Sequence, residues 1–134
     1  TYNGDASRGV DGNTDGVYGN NSVTHTAYEL NAWWEVDMEK VYYIDHLEVW
    51  NRTDLCCKDR LARFYIFISE EPFTSRDLQT TLDQTGVKAI YHEFFPDPGV
   101  VFNVASEGRY IRIQLSDSQN ICLAELIAMG REVD

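Results

Sequence analysis

The chain has 134 residues, of which 43% are hydrophobic and 13% aromatic, and this length and composition suit one packed domain instead of a disordered tail. Its 11 basic and 22 acidic residues give a formal charge of −11, which repels phosphate and argues against nucleic acid and anionic lipid surfaces as partners. No apolar run approaches the roughly 20 residues of a transmembrane helix.

The first 31 residues are predicted to form a long loop. They contain the run NGDASRGVDGNTDGVYGNNS, which is rich in Gly, Asn, Asp and Ser and has almost no periodicity. An ordered loop of this length usually has a function or a ligand that holds it together. The opening TYNGDASRG carries no charged and apolar leader, so we expect residues 1–134 to be a single domain excised from a longer protein.

Beyond the loop, short β patterns recur between turn residues. They lie at WWEVDM, YYIDHLEVWNR, RFYIFIS, AIYHEFF, VVFNV, RYIRIQL and LAELIAMG. In RYIRIQL, Ile111, Ile113 and Leu115 are expected to face the core, with Arg112 and Gln114 on the other side. One segment, SRDLQTTLDQTG, is compatible with a short helix. The pattern predicts an all-β fold, an antiparallel β-sandwich or barrel.

The sequence lacks the usual motifs of catalysis. It has no nucleophile elbow, no zinc-protease helix, no P-loop and no dinucleotide-binding glycine pattern. His46 and His92 fall in predicted strands, where a structural or exposed histidine is the usual reading. A hydrolase would need a carboxylate pair across a cleft, and no such pair can be chosen by spacing. We therefore expect that the protein is not an enzyme.

The segment NRTDLCCKDRL, residues 51–61, places two arginines just beyond a predicted strand. Guanidinium is a planar fork of donors that suits neighbouring oxygens on a carboxylate, a phosphate or a sugar. Asp54 could hold one fork by a charge-assisted pair. Alternatively, Arg52, Asp54, Asp59 and Arg60 form a surface ion-pair network, which normally contributes little to stability.

The three cysteines do not have metal-site spacing, because Cys56 and Cys57 are adjacent and Cys122 lies far along the chain. Consecutive Cα atoms lie ~3.8 Å apart, below the ~4.4–6.8 Å of ordinary disulfides. A bond between Cys56 and Cys57 would therefore be strained, and its use would be as a stiff apolar platform. Two ordinary thiols are the alternative. Cys122 is expected to be buried and unpaired.

Oxygen donors in the first loop could bind a hard cation. Asp11, Asn13, Asp15 and Ser22 offer side-chain oxygens, and the glycines allow backbone carbonyls to turn inward. The spacing does not match an EF-hand. The alternative is a turn-rich loop in which Asn and Asp cap the backbone.

In their order along the chain, these residues resemble the F-type lectins, the fucose-binding lectins of the eel agglutinin kind in the discoidin-like (factor V/VIII C-type) superfamily. The stretches that carry the resemblance are VDGNTDGVYGNNSVTHT, AWWEVDM, HLEVWNRTDLCCKDRL, EGRYIRIQL and LAELIAMG. The family pattern is a histidine, some two dozen residues, Arg-x-Asp and then a base, and it matches His25, Arg52-Thr53-Asp54 and Arg60. The resemblance implies a jelly-roll β-sandwich.

The chain departs from the family pattern in two places. Five residues separate Asp54 from Arg60 where the family usually has four. Placing the extra residue at Leu55 makes Arg60 the second base, and Lys58 is the alternative. The usual strand-forming segment before the first loop is also missing, which puts in doubt an edge strand and its apolar contacts near the sugar.

The resemblance implies a sugar site of hydrogen-bond donors, an orienting acid and apolar contacts. Its expected members are His25, Arg52, Arg60, Asp54, Cys56, Cys57 and Tyr18. L-Fucose has an axial O4 beside an equatorial O3, plus a ring oxygen, which two guanidinium forks and an imidazole can clamp together. The aspartate would orient an arginine, and the cysteines would form the family's vicinal disulfide against the sugar. The tyrosine would be a shelf for the C6 methyl group.

The resemblance also implies a structural Ca²⁺ ion that shapes the first loop. Its expected ligands are the carbonyl of Arg8 and the side chains of Asp11, Asn13, Ser22 and Glu125. The glutamate would otherwise be an odd acid in the apolar run LAELIAMG. A buried carboxylate needs a partner, and a bound cation would supply one.

The leading expectation is a calcium-stabilised, non-catalytic module for terminal L-fucose on glycans, made multivalent by tandem modules or oligomers. The alternative is a discoidin-like domain that binds a galactose-type glycan, a protein surface or lipid. The charge of −11 disfavours direct binding to anionic lipid and to nucleic acid, because it repels phosphate groups.

Two sequons, at Asn20 and Asn51, bear on the compartment. Both would accept glycans in a eukaryotic secretory pathway, and a glycan on Asn51 would crowd Arg52. They favour a bacterial protein that is secreted or extracellular, or held at the cell surface.

Overall fold

The structure, a computed structural model, describes residues 24–53 and 58–133. Its strands are β1 (Thr24–His25), β2 (Glu29–Leu30), β3 (Trp33–Asn51), β4 (Phe64–Ser69), β5 (Lys88–His92), β6 (Gly99–Leu115), β7 (Ser118–Gln119) and β8 (Cys122–Glu132). One helix, α1 (Leu78–Asp83), and a 3₁₀ turn, Lys58–Arg60, complete the described elements. The predicted all-β fold is confirmed, and so is the short helix.

Antiparallel pairing joins these strands into an all-β sandwich. Six of them form one sheet in the order β1-β8-β3-β6-β4-β5, and β2 pairs separately with β7. The central strand β3 pairs with both β6 and β8 along most of its length. The start of β8 therefore lies between β1 and the end of β3. This arrangement brings the residues that follow β3 close to β1.

The two longest strands join segments that the sequence predicted separately. WWEVDM and YYIDHLEVWNR both lie in β3, and VVFNV and RYIRIQL both lie in β6. The register shifts between Asp37 and Tyr42, where Glu39 has a positive φ of 72°, and Ala105 in β6 has a φ of 51°. Such bulges bend a strand without ending it, so polar interruptions in the pattern mark bends here.

One apolar core holds the sheet in place. It is built mainly from alternate residues of β3, β4 and β6, including Leu47, Val49, Phe64, Ile66, Ile68, Ile111, Ile113 and Leu115. Leu61 and Leu123 are fully buried in the same core. Leu61 directly follows the 3₁₀ turn and Leu123 is the second residue of β8, so both segments are anchored where they approach each other.

The sequence prediction for RYIRIQL was right for one face of the strand and incomplete for the other. Ile111, Ile113 and Leu115 are buried as expected, but Arg112 and Gln114 are buried too. A segment that includes α1 covers their face, and its backbone and hydroxyl groups accept their hydrogen bonds. Buried polar side chains of this kind are tolerated because they are satisfied.

The first-loop prediction was wrong for two short strands. β1 and β2, with two residues each, lie within the stretch predicted as loop, and they are too short to produce a hydrophobic period. Residues 1–23 lie outside the described part of the chain. No helix among the described residues is long and apolar enough to span a bilayer.

His92 should make stability depend on pH near neutrality. Its ring lies 5.5 Å from that of Phe64 and 5.1 Å from that of Phe102, and burial lowers the pKa of His92 from its ordinary value of 6.5. Below pH 6.5 the unfolded chain therefore binds more protons than the folded one, and the free energy of unfolding should fall as the pH falls. Urea denaturation of the wild type and His92→Gln between pH 5 and 7.5 checks this. The wild type should show the steeper loss, and parallel curves would contradict it.

Candidate functional site

Two arginines that the sequence selected converge on one sulfur atom. Arg52 Nη1 lies 3.9 Å from Cys122 Sγ, and Arg60 Nη1 lies 3.8 Å from the same atom. Arg52 follows β3, whereas Arg60 ends the 3₁₀ turn, so two separate segments bring their guanidinium groups together. Both arginines are half-buried, and Cys122 is fully buried. The sulfur is therefore the point at which the two guanidinium groups of the candidate site meet.

Asn51, the last residue of β3, fixes the backbone from which Arg52 projects. Its Nδ2 donates to the Pro96 carbonyl at 2.9 Å, and its backbone N–H donates to the Pro98 carbonyl at 2.8 Å. Its Oδ1 accepts the Arg52 backbone N–H at 2.8 Å. Because Asn51 is buried, these bonds are shielded from water and hold Arg52 in one place.

His25 is brought to the same place by strand pairing. In the β1–β8 ladder, His25 is the Cα partner of Cys122. The next residue extends the contact, because the Thr26 backbone N–H donates to the Ile121 carbonyl at 3.0 Å and Thr26 Oγ1 accepts the Ile121 N–H at 2.8 Å. The backbone of the predicted histidine therefore lies beside the sulfur that both arginines approach.

Other sequence predictions for the sugar site fall outside the described residues. They are Asp54, Cys56, Cys57 and Tyr18. The predicted calcium ligands Arg8, Asp11, Asn13 and Ser22 also fall there. Glu125, the remaining predicted ligand, lies in β8 and is only 2% exposed.

Cys122 is the residue whose position in the site sequence reasoning missed. It was correctly predicted to be buried and unpaired, and the structure confirms this. Nothing in the sequence indicated that it would lie beneath the arginines, because the contact spans about half the chain. Only the β1–β8–β3 strand order, which the sequence pattern does not fix, places it there.

The described residues of the site offer donors to a ligand rich in oxygen. Guanidinium groups donate in a fixed fork and accept nothing, and partial burial strengthens the bonds they make. No group of three or more His, Cys, Asp or Glu side chains in residues 24–53 and 58–133 could hold a metal ion. The chemistry that the arrangement supports is binding of neighbouring hydroxyl, ring or carboxylate oxygens.

The chain matches a known family over most of its length. A family model described as a NedA-like, galactose-binding domain of the F5/F8 type C kind matches residues 8–113. Fucolectin-4 of Anguilla japonica is 33% identical over 126 residues, which cover 90% of this chain and 64% of that protein. The chain spans less than two thirds of the length of the eel fucolectins that it matches first.

Solved structures agree with this match. A Streptococcus pneumoniae fucose binding module, SpX-3, has a TM-score of 0.84 and 28% identity and covers 98% of this chain and 89% of that one. The lectin domain of lectinolysin, complexed with Lewis B antigen, has a TM-score of 0.83 and 30% identity and covers 97% and 86%. These matches confirm the resemblance to fucose-binding lectins and the discoidin-like fold.

Proposed function

The chain belongs to the F5/F8 type C family of NedA-like, galactose-binding domains, and we propose that it is a non-catalytic lectin module that binds terminal L-fucose on glycans. The convergence of Arg52 and Arg60 on Cys122 Sγ, with His25 paired to the same cysteine, carries the proposal. Fucose is named because similar proteins are called fucolectins and fucose-binding modules.

The proposed clamp matches the oxygens of L-fucose. Its axial O4, its equatorial O3 and the ring oxygen lie on neighbouring atoms, where two forks and one imidazole can each donate. The sugar has no charge, so the acidic surface does not repel it as it would an anion. The apolar platform of Cys56 and Cys57 and the shelf of Tyr18 remain parts of this proposal that lie outside the described residues.

Calorimetric titration with L-fucose, with D-galactose in parallel, tests the function. We expect saturable binding of fucose with a Kd between about 1 μM and 1 mM, the range that one sugar in a shallow site allows. D-Galactose should bind much more weakly, because its ring belongs to the opposite enantiomeric series and it carries a polar hydroxymethyl group where L-fucose has its apolar methyl. If a folded sample binds neither sugar, the proposal is wrong.

D-Galactose is the second candidate ligand. The description of the matching family names galactose, and the two sugars share part of their hydroxyl arrangement. Tighter binding of galactose than of fucose in the same titration would transfer the proposal to galactose-type glycans.

A structural calcium ion belongs to the proposal, and the donor set fits it. The predicted ligands are all hard oxygens, as Ca²⁺ prefers. Glu125 supplies a buried carboxylate, and buried carboxylates require compensation. Glu125 lies two residues after Leu123, the Cα partner of Thr24, so it belongs to the strand that pairs directly with β1. The ion would shape the loop that leads to His25 and take no part in chemistry.

Calcium removal should lower the melting temperature. A ligand that binds only the folded state adds about 2.7 kcal/mol at 100 times its Kd, and EDTA would remove that stabilisation. Differential scanning calorimetry with EDTA and then excess Ca²⁺ measures the effect. In Glu125→Gln the calcium-dependent part of the shift should largely disappear. A wild-type melting temperature that is the same in EDTA and in Ca²⁺ would remove calcium from the proposal.

The proposal also includes an extracellular location and binding through several copies of the module. Similar proteins include a lectin from striped bass serum and bacterial fucose-binding modules, which supports an extracellular location. One shallow site binds weakly, so tandem modules or oligomers would supply avidity for glycan-covered surfaces.

A further inference from the structure

A groove begins beside the arginine site and is not used by the proposed fucose clamp. It encloses about 220 Å³ on the sheet where the end of β3 meets the start of β6. Its lining residues are Glu48, Trp50, Pro98, Gly99, Val100 and Val101. The groove ends at Trp50, two residues before Arg52, which directly follows β3, so the groove continues the site along that strand.

Trp50 connects the groove to the site. On one side its ring packs against the small cluster formed by Ala124 and Cys122, the cysteine that both arginines approach. On the other side it lies over Gly99, its Cα partner in β6, where an added Cβ would lie 3.0 Å from ring atom Cδ2. The missing side chain at Gly99 lets the ring lie close to the neighbouring strand and form a wall of the groove.

Glu48 fixes the orientation of that ring and adds an acceptor. Trp50 Nε1 donates to Glu48 Oε1 at 3.1 Å, which holds the indole in place. Opposite Glu48 in the ladder, Val101 is 59% exposed and offers an apolar rim. The groove thus combines an oriented aromatic ring, a carboxylate and an exposed apolar side chain.

This combination suits a neutral pyranose. The C–H groups of a pyranose face pack against an aromatic ring, while its hydroxyl groups donate to a carboxylate. A site lined mainly by apolar groups, with a few placed polar atoms, is the usual form of a small-ligand pocket. A carboxylate in a chain of charge −11 disfavours sialic acid or a sulfated sugar.

We propose that the groove is a second sugar subsite, which binds the neutral hexose to which the fucose is attached. This inference rests on the proposed function and deepens it, because it places the rest of the glycan along β3 towards β6. Continuity with the arginine site supports this occupant over an unrelated ligand. The module would then read a fucosylated disaccharide unit instead of fucose alone.

Calorimetry with three probes tests the subsite: L-fucose, 2′-fucosyllactose and 3-fucosyllactose. The wild type should bind at least one trisaccharide about tenfold more tightly than L-fucose. Val101→Arg places a long side chain opposite Glu48 and fills the groove from a position that is 59% exposed, where a larger side chain has room. It should remove most of the gain and leave the Kd for L-fucose within about twofold.

Two further variants keep the result interpretable. Trp50→Phe, which keeps an aromatic ring against the Cys122 and Ala124 cluster, should also lower the gain. Tyr91→Ala, which removes an exposed aromatic ring on β5, should leave the gain unchanged. If no probe binds, the proposed function itself fails. If the wild type binds all three probes equally, or if Val101→Arg and Trp50→Phe keep the full gain, only the subsite is overturned.

Discussion

Arg52→Ala should abolish measurable binding of L-fucose and leave thermal unfolding nearly unchanged. A hydrogen bond to a charged donor contributes about 1.5–3 kcal/mol, so loss of a two-bond fork weakens binding by about 100-fold or more. A starting Kd between about 1 μM and 1 mM would thereby rise to between about 0.1 mM and 0.1 M, so binding should be lost or reduced to the weak limit of calorimetry. Stability should change little, because Arg52 is only half-buried and its contact with Cys122 Sγ, at 3.9 Å, is long.

Arg60→Ala should have the same effect if Arg60 is the second base. Its Nη1 lies 3.8 Å from the sulfur that Arg52 approaches, which supports that choice. Lys58→Ala is the discriminating variant, because the extra residue before Arg60 leaves Lys58 as the alternative. Arg131→Ala, which removes an exposed guanidinium over the ring of Tyr43 near the other end of β8, is the matched control. Normal binding by Arg60→Ala together with loss in Lys58→Ala would show that the arginine was misassigned.

The fold was largely predictable from local pattern. Runs such as RFYIFIS and RYIRIQL alternate or are continuously apolar, and each lies in a strand. Strand continuity was not predictable, because the bulges near Glu39 and Ala105 contain polar residues that resemble strand ends. The two-residue strand β1 was also missed, since only its pairing with β8 defines it.

The sequence identified the candidate residues that belong to a linear motif. It did not identify the residue that strand order alone brings to them. His25, Arg52 and Arg60 form a spaced pattern, which identifies them before their positions are known. Cys122 belongs to no such pattern and joins them only because β8 lies between β1 and β3. The groove beside Trp50 exists because the indole ring lies over Gly99 of β6. The two residues are far apart in the sequence, so no local pattern predicts this contact.

Arg112 shows a related limit, because strand alternation placed it on the outer face and gave no reason for its burial. It is 3% exposed, its Nε donates to Glu35 Oε1 at 2.8 Å, and its Nη1 donates to the Ser75 carbonyl at 2.8 Å and to Thr81 Oγ1 at 3.0 Å. The guanidinium also lies 4.5 Å from the ring centroid of Phe73. One side chain thus joins the sheet to the segment that carries α1.

Arg112→Met should therefore lower the free energy of unfolding by about 3 kcal/mol, the lower end of the usual cost of removing one partner from a buried ion pair, because the Glu35 side chain keeps 29% exposure. Methionine replaces the apolar volume but leaves Glu35, Ser75 and Thr81 without their shared donor. Urea denaturation measures the loss.

The matched control for Arg112→Met is Arg109→Ala. Arg109 lies on the same strand and binds Asp37 through two hydrogen bonds of 2.7 and 3.0 Å. Both of those side chains are exposed, at 36% and 43%, so solvent replaces the lost bonds and stability should hardly change. Equal losses in the two variants would mean that the number of bonds, and not their burial, determines the contribution. A loss confined to Arg112→Met would establish that this buried arginine fastens α1 to the sheet.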